Sequence, residues 1–239
     1  MHRIRAVSLD LDDTLWAVGP VIRRAERELW HWLGQRYPRI VERYSPDDAL
    51  ELRREAAARH PEKAHDFRYL RRATLARMAV AAGYDEALAS EAFDVFDRWR
   101  NRVDLYPDVE PALGRLQARF VLIAVTNGNA SLDRIGIGRY FHDVVAAAAV
   151  GHAKPSRAIY DAAVERSGVA ADAVLHVGDH PELDVRAAAR AGLKTAWINR
   201  GDDVWPEAIA PPDAVIRDLA DLDELLAANP AEDSSGTGP

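Results

Sequence analysis

Cysteine is absent from the 239 residues, which excludes a disulfide scaffold, a thiolate metal site and a cysteine nucleophile. Also missing is any window approaching the roughly 20 consecutive apolar residues that a membrane span requires. There is no basic excess: 31 Lys and Arg stand against 38 Asp and Glu, a net charge of −7, which argues against a dedicated nucleic-acid binder. The opening Met1-His2-Arg3-Ile4-Arg5 carries neither a long apolar stretch nor a small-residue cleavage site, so a cytoplasmic protein is expected. No internal repeat is visible. What remains is an apolar share of 48%, enough to bury a sizeable core, in a length that suits one large domain or a core with a smaller insert.

Short apolar runs at residues 6–9, 121–125, 174–177 and 195–198 read as buried strands, with weaker candidates at 144–147 and 214–216. Helical patterns lie between them at 109–118, 156–166 and 182–191, and Asp108, Ser156 and Asp172 stand where caps or turns belong. Strands alternating with helices predict a Rossmann-like α/β fold, a parallel sheet with helices on both faces, three layers in all. Residues from about 17 to 105 break the alternation. Stripes at Val21-Ile22, Ala25, Leu29 and Trp32-Leu33, then Phe67, Leu70, Thr74-Leu75 and Met78, then Ala92-Phe93, Phe96 and Trp99, recur at helical spacing. They predict an all-helical insert of about four helices after the first strand. Its charged pairs, Arg53-Arg54 and Arg71-Arg72, read as solvated faces. The organisation expected is therefore a core of residues 1–16 and 106–228, an insert of 17–105, and a small polar tail, 229–239, that reads as disordered.

The chemistry collects at strand ends. In Asp10-Leu11-Asp12-Asp13-Thr14, residues two apart face the same side of an extended segment, so Asp10 and Asp12 share one space. They sit at the carboxyl end of a strand, where open parallel sheets bind ligands. Two such carboxylates imply either a divalent metal or one acid with a raised pKa. Thr126-Asn127-Gly128 offers a hydroxyl and backbone amides to an anion. Gly178-Asp179 ends another strand, with Asp184 five residues on at the next helix start, and Lys154 precedes Pro155 and the helix opening at Ser156. A lysine there can bind phosphate or pair with a carboxylate. Asp13 reads as structural and His176 as a satisfied core histidine. His152 and His180 have no metal-ligand partner at useful spacing, and Gly136-Ile137-Gly138 reads as a helix end.

Taken in order, Asp-x-Asp-x-Thr, Thr-Asn-Gly, Lys-Pro and Gly-Asp with a further Asp resemble the haloacid dehalogenase superfamily from about Arg5 to Leu226. The resemblance implies roles. Asp10 is expected to be the nucleophile that takes the phosphoryl group, and Asp12 the general acid and base. Thr126, Lys154 and the amides of Asn127 and Gly128 are expected to hold phosphoryl oxygens. Mg²⁺ is expected on Asp10, the Asp12 carbonyl and Asp179, with Asp184 behind them orienting Lys154 or a bound water. An acid two residues after the nucleophile favours phosphate chemistry over carbon–halogen cleavage. The insert stands where the superfamily places a helical C1-type cap, hinged at 16–20 and 104–108, which suits a small phosphorylated metabolite.

A finer resemblance, to bacterial phosphatases acting on FMN and on 5-amino-6-(5-phospho-D-ribitylamino)uracil, rests on residues 19–28, 99–104 and 126–130, with Leu183 a departure where many relatives carry Asn. Of Trp16, Trp30, Trp32 and Trp99, which otherwise read as packing, Trp16 is the best placed to contact substrate because it follows the catalytic loop. A phosphomutase of the same superfamily and a receiver-type phospho-acceptor domain stand as alternatives. The oligomeric state is left open.

Overall fold

The computed structural model describes residues 4–228. The tail expected to be disordered lies outside the described residues. The chain runs β1 (Ala6–Leu9), five helices α1 (Val18–Arg36), α2 (Pro38–Arg43), α3 (Pro46–Arg59), α4 (Phe67–Ala81) and α5 (Leu88–Arg100), then α6 (Val109–Gln117), β2 (Val121–Thr126), α7 (Leu132–Ile135), β3 (Asp143–Ala146), α8 (Ala147–Val150), α9 (Arg157–Ser167), β4 (Val174–Gly178), α10 (Ala187–Arg190), β5 (Lys194–Ile198), β6 (Ala214–Ile216) and α11 (Leu219–Ala227).

All six strands pair in parallel in the order β3-β2-β1-β4-β5-β6. Strand β1 is central, with Leu9 opposite Ala124 of β2 on one side and Val177 of β4 on the other. The chain turns left from β1 to β2 and β3, and right to β4 and beyond. The crevice at the carboxyl ends of β1, β2 and β4 is therefore the switch point where such sheets bind ligands. Alternate side chains serve opposite faces. Val7, Leu9, Leu122, Ala124, Leu175 and Val177 pack with α6 and α11, while Ala6, Ile123, Val125 and Val174 pack with α9 and α10. Burial on both faces explains why the strands read as unbroken apolar runs.

The five helices between β1 and α6 share an apolar cluster of their own, including Leu29, Leu33, Met78, Phe93 and Phe96. They number one more than the stripes predict, because Pro38 starts a separate short helix after Tyr37. Asp108 and Ser156 stand at the N-cap positions of α6 and α9, as expected. Neither Asp108 nor Ser156 makes a side-chain cap bond. Asp108 instead takes both terminal nitrogens of Arg200, at 3.0 and 2.9 Å, and the Leu219 amide at 2.8 Å. Helix 182–191 opens as a wider π-helical turn, Pro181–Arg186, before α10.

Candidate active site

Leu9 hands the chain directly to Asp10, whose amide donates to the Val177 carbonyl at 2.9 Å. The Asp10 side chain thereby rises between β2 and β4. Asp13 turns the backbone through a left-handed conformation, φ 62°, and its carboxylate accepts the Val18 amide at 2.9 Å, capping α1. That local bond explains why an acid rather than glycine tolerates the strained turn.

Lys154 is held in place by a reciprocal pair. Its amide donates to Asn127 Oδ1 at 2.7 Å, and Asn127 Nδ2 donates to its carbonyl at 3.1 Å. The expected phosphoryl-binding contribution of Asn127 is thus confined to its backbone, because its side chain is committed to Lys154. The Lys154 ammonium, buried, donates to Asp10 Oδ1 and, at 2.7 Å, to Asp184 Oδ1. Asp184 Oδ1 also meets His176 Nε2 at 3.3 Å, and His176 Nδ1 meets Ser8 Oγ at 2.9 Å. A buried polar chain therefore runs from inside the sheet to Asp10, and burial keeps the His176 pKa low.

One oxygen each of Asp10, Asp179 and Asp184 lies within 4.8 Å of the others. Asp179 is oriented by Thr14 Oγ1 at 3.4 Å and by the Trp197 indole, which donates to its carbonyl at 2.7 Å. Burial, then the Asp184 and Asp13 charges, push the Asp179 carboxyl up to about 7. Burial likewise raises Asp10 against the pull of Lys154, with Asp184 and Asp179 adding to the rise. Asp184 is held low: burial opposes its charge, and Lys154 and His176 more than offset that. Fully ionised, the three carboxylates outweigh the one ammonium by two negative charges in a small, largely buried space. The donor set, all oxygen and doubly anionic, fits a hard divalent cation.

Gly178 is required here, since a Cβ would come within 2.4 Å of the Asp184 carboxyl carbon. Gly128 is hemmed in similarly: its Cβ would meet Asp12 Oδ2 at 3.0 Å, Arg100 Nη2 at 3.2 Å and Thr126 Oγ1 at 3.3 Å. The Gly128 amide donates to Thr126 Oγ1 at 2.9 Å, and both residues line the same cavity as Asp12. Asp12 accepts the Trp16 indole N–H at 2.9 Å and Arg100 Nη2 at 2.7 and 2.8 Å. Trp16 is fully buried in the core cluster. The expected substrate contact by its ring is therefore corrected: no face is left open, and its indole orients Asp12 instead.

Arg100 is the functional residue that sequence reasoning missed. It crosses from α5 to the sheet edge, 2% exposed. It falls four residues after Phe96 and seven after Phe93, on the apolar stripe of α5. A cation at a core-facing position was the available signal. Arg71, expected in a solvated face, is buried too, four residues after Phe67 on the stripe of α4. Helix α5 is further tied to the loop after β2 by Asn101 Oδ1, which accepts the Ser131 amide at 2.6 Å, and by the Asp97–Arg134 ion pair. Between the helical unit and the sheet edge lies a cavity of about 420 Å³. Its floor includes Asp10, Asp12, Thr126 and Asp179, its walls Val18, Ile22 and Phe96, and its roof Arg53 and Arg71.

A model of haloacid dehalogenase-like hydrolases matches residues 4–192, which span Asp10, Asp12, Arg100, Thr126, Lys154, Asp179 and Asp184. The chain belongs to that family. Among curated relatives, the 5-amino-6-(5-phospho-D-ribitylamino)uracil phosphatase YigB of Escherichia coli (strain K12) is 34% identical over 234 residues, 95% of this chain and 98% of that protein. The glyceraldehyde 3-phosphate phosphatase of Methanopyrus kandleri is 32% identical, covering 83% of this chain and 85% of that protein. A solved structure described as a 2-haloacid dehalogenase from Pseudomonas syringae pv. Tomato DC3000 superposes with a TM-score of 0.90 at 37% identity, covering 95% of this chain and all of that one. Within the haloacid dehalogenase-like hydrolases, this chain is a phosphoric monoester hydrolase. Among the described residues, no helix is long and apolar enough to cross a membrane.

Proposed function

We propose that this chain is a magnesium-dependent phosphatase of a small phosphorylated metabolite, acting through an aspartyl-phosphate on Asp10, with 5-amino-6-(5-phospho-D-ribitylamino)uracil and FMN as leading candidate substrates. One observation carries the reading: a buried lysine grips Asp10 Oδ1 while Asp179 and Asp184 crowd the same space. Lys154 takes Oδ1, so Oδ2 is the oxygen that attacks. As it bonds to phosphorus, the ester P–O bond breaks, and Asp12, entering protonated, gives its proton to the departing oxygen. Water then attacks the phosphorus, Asp12 takes up its proton, and Asp10 is released with inorganic phosphate. Asp10, the Asp12 carbonyl and Asp179 would hold magnesium, with Asp184 behind them. The ion supplies charge neutralisation that lets a carboxylate approach a phosphate dianion.

Thr126 and Lys154 bind phosphoryl oxygens, and the backbone amides of Asn127 and Gly128 help, the latter on release from Thr126 Oγ1. The helical unit, 17–105, acts as the cap over a core of 1–16 and 106–228. Asp12 is paired with Arg100 in this closed arrangement, and substrate must part them before Asp12 can serve as the acid. Support for the flavin-pathway substrates is the likeness to YigB over nearly the whole chain.

The test is a phosphate-release screen with and without Mg²⁺. It spans sugar phosphates, nucleotides, FMN and the ribitylaminouracil phosphate, with chloride release from 2-chloropropionate measured alongside. The expected result is Mg²⁺-dependent turnover with the flavin-pathway compounds ahead. Generic phosphates performing equally well would remove the substrate assignment and leave the class. Halide release without phosphate release would remove both.

A further inference from the structure

The cavity is acidic below and basic above. Its floor handles the cation and the phosphoryl group. Its roof is built by Arg53 of α3 and Arg71 of α4, both paired with Glu26 of α1, at 3.5 and 2.7 Å. Two guanidiniums sharing one carboxylate leave one positive charge over. Arg71 lies on the Phe96 ring, 3.4 Å from its centroid, which fixes its plane. Phe67, half exposed, stands beside them in the lining.

Two buried nitrogens of this lining, Arg53 Nε and Arg100 Nη1, have no protein partner among the described residues. Arg100 is 98% buried by side chain, yet half its fork is unused. A third such nitrogen, Arg24 Nε, belongs to a side chain outside the cavity, and among the described residues no buried side-chain acceptor is left over. Native proteins rarely bury a donor without a partner, because its lost hydration is not recovered. On the side away from Asp10 the cavity thus has one spare donor, Arg53 Nε, and spare positive charge, while Arg100 Nη1 lies on the floor side with Asp12. A guanidinium fork matches a pair of oxygens on one planar group.

We propose that Arg53 and Arg71 form a leaving-group subsite that selects phosphate monoesters carrying acceptor oxygens remote from the phosphate, either a carboxylate or the carbonyl edge of a planar ring. The proposal rests on the phosphatase reading above and narrows its substrate class. A ring would lie against Phe67 and Phe96 with its carbonyl edge toward Arg53. A carboxylate would take the spare charge directly. A plain polyol phosphate offers neutral hydroxyls, which accept hydrogen bonds but neither take up the spare charge nor present two oxygens in one plane to a guanidinium fork.

The experiment measures kcat/KM for phosphate release on two matched pairs: 6-phosphogluconate against glucose 6-phosphate, and uridine 5′-monophosphate against ribose 5-phosphate. The parent enzyme is expected to prefer the carboxylate- or ring-bearing member of at least one pair by about tenfold or more, the factor that a single hydrogen bond to a charged group is worth. The pair that shows the preference identifies the source of the oxygens. In Arg53→Met the ratio should fall toward one. In Arg53→Lys, which keeps the charge but not the fork, a carboxylate preference should survive in part and a ring preference should not. Melting curves identify any variant that fails to fold, in which case the other decides. Ratios within about twofold for both pairs in the parent, or a preference that survives in every folded variant, would overturn the proposal. No phosphate from any of these compounds or from p-nitrophenyl phosphate is a separate outcome: it removes the phosphatase reading itself and the proposal with it.

Discussion

Replacing Lys154 with methionine probes the centre of the site through stability rather than turnover. The ammonium is 4% exposed and bridges Asp10 and Asp184. Methionine preserves most of its volume, so the loss is chiefly electrostatic. Removing one partner from a buried ion cluster costs roughly 3–5 kcal/mol, because the remaining charges stay buried without compensation. The cost must depend on pH, with a definite sign. In the parent, Asp184 is held low and so stabilises the fold above the unfolded aspartate value. In the variant Lys154 no longer lowers Asp184, which leaves His176 alone against burial, and Asp10 loses the only pull opposing its rise. Asp184, with burial its largest influence, is then expected above its unfolded value of about 4, as Asp10 already is in the parent. Such a group is proton-bound when folded and ionised when unfolded, so stability falls as pH rises through that window. For each carboxylate that stays protonated, the fall is about 1.4 kcal/mol per pH unit.

The assay is a set of melting curves at pH 5 and pH 8 with EDTA, and again with Mg²⁺. For a chain of this size 1 kcal/mol moves Tm by about 2–4 °C, so the variant should melt roughly 10 °C lower at pH 8 and clearly less so at pH 5. Mg²⁺ should recover part of the loss at pH 8, because a cation takes over the neutralisation. A Tm deficit equal at both pH values, or under about 2 °C at pH 8, would refute the reasoning.

Asp10→Asn should leave the melting curve near that of the parent and abolish phosphate release, while Asp12→Asn should lower kcat on the order of 10²–10⁴-fold, the usual share of acid–base catalysis. Steady-state kinetics on p-nitrophenyl phosphate would mislead for Asp12, since that leaving group needs little protonation, so an alkyl phosphate is the correct substrate. Gly128→Ala places a methyl 3.0 Å from Asp12 Oδ2 and 3.2 Å from Arg100 Nη2. It should lower kcat with a Tm change of only a few °C, on the order of 1–3 kcal/mol for overpacking. An unaffected kcat would mean that the contact with Asp12 relaxes without consequence.

Much of the core was legible because its elements obey simple periodicities. Strands buried on both faces must be apolar throughout, so the runs at 6–9, 121–125 and 174–177 stood out, and observed bounds differ by a residue. The acids and Lys154 were legible because charged residues directly after such runs, or just before a helix start, can only lie at the sheet edge. The arginines of the helical unit were hidden. Arg71 and Arg100 occupy core-facing positions in α4 and α5, where a cation looks like an interruption of the stripe rather than a feature of it. Trp16 misled for a related reason: position after the catalytic loop places a residue near the site but says nothing about its rotamer. Its indole turned inward to Asp12 because a buried N–H needs an acceptor, and Asp12 is within reach four residues away.

By itself, then, the order of residues determined the parallel sheet, the helical insertion after β1, and the set of acids and lysine at the strand ends, since each follows from local pattern and short-range chirality. Only the tertiary structure decided which charges touch. Lys154 choosing Asp10 and Asp184, Arg100 reaching Asp12 across 88 residues, and Arg53 and Arg71 sharing Glu26 are outcomes of packing. Contacts between segments distant in sequence depend on how helices seat on one another, and no periodicity within a single segment encodes that.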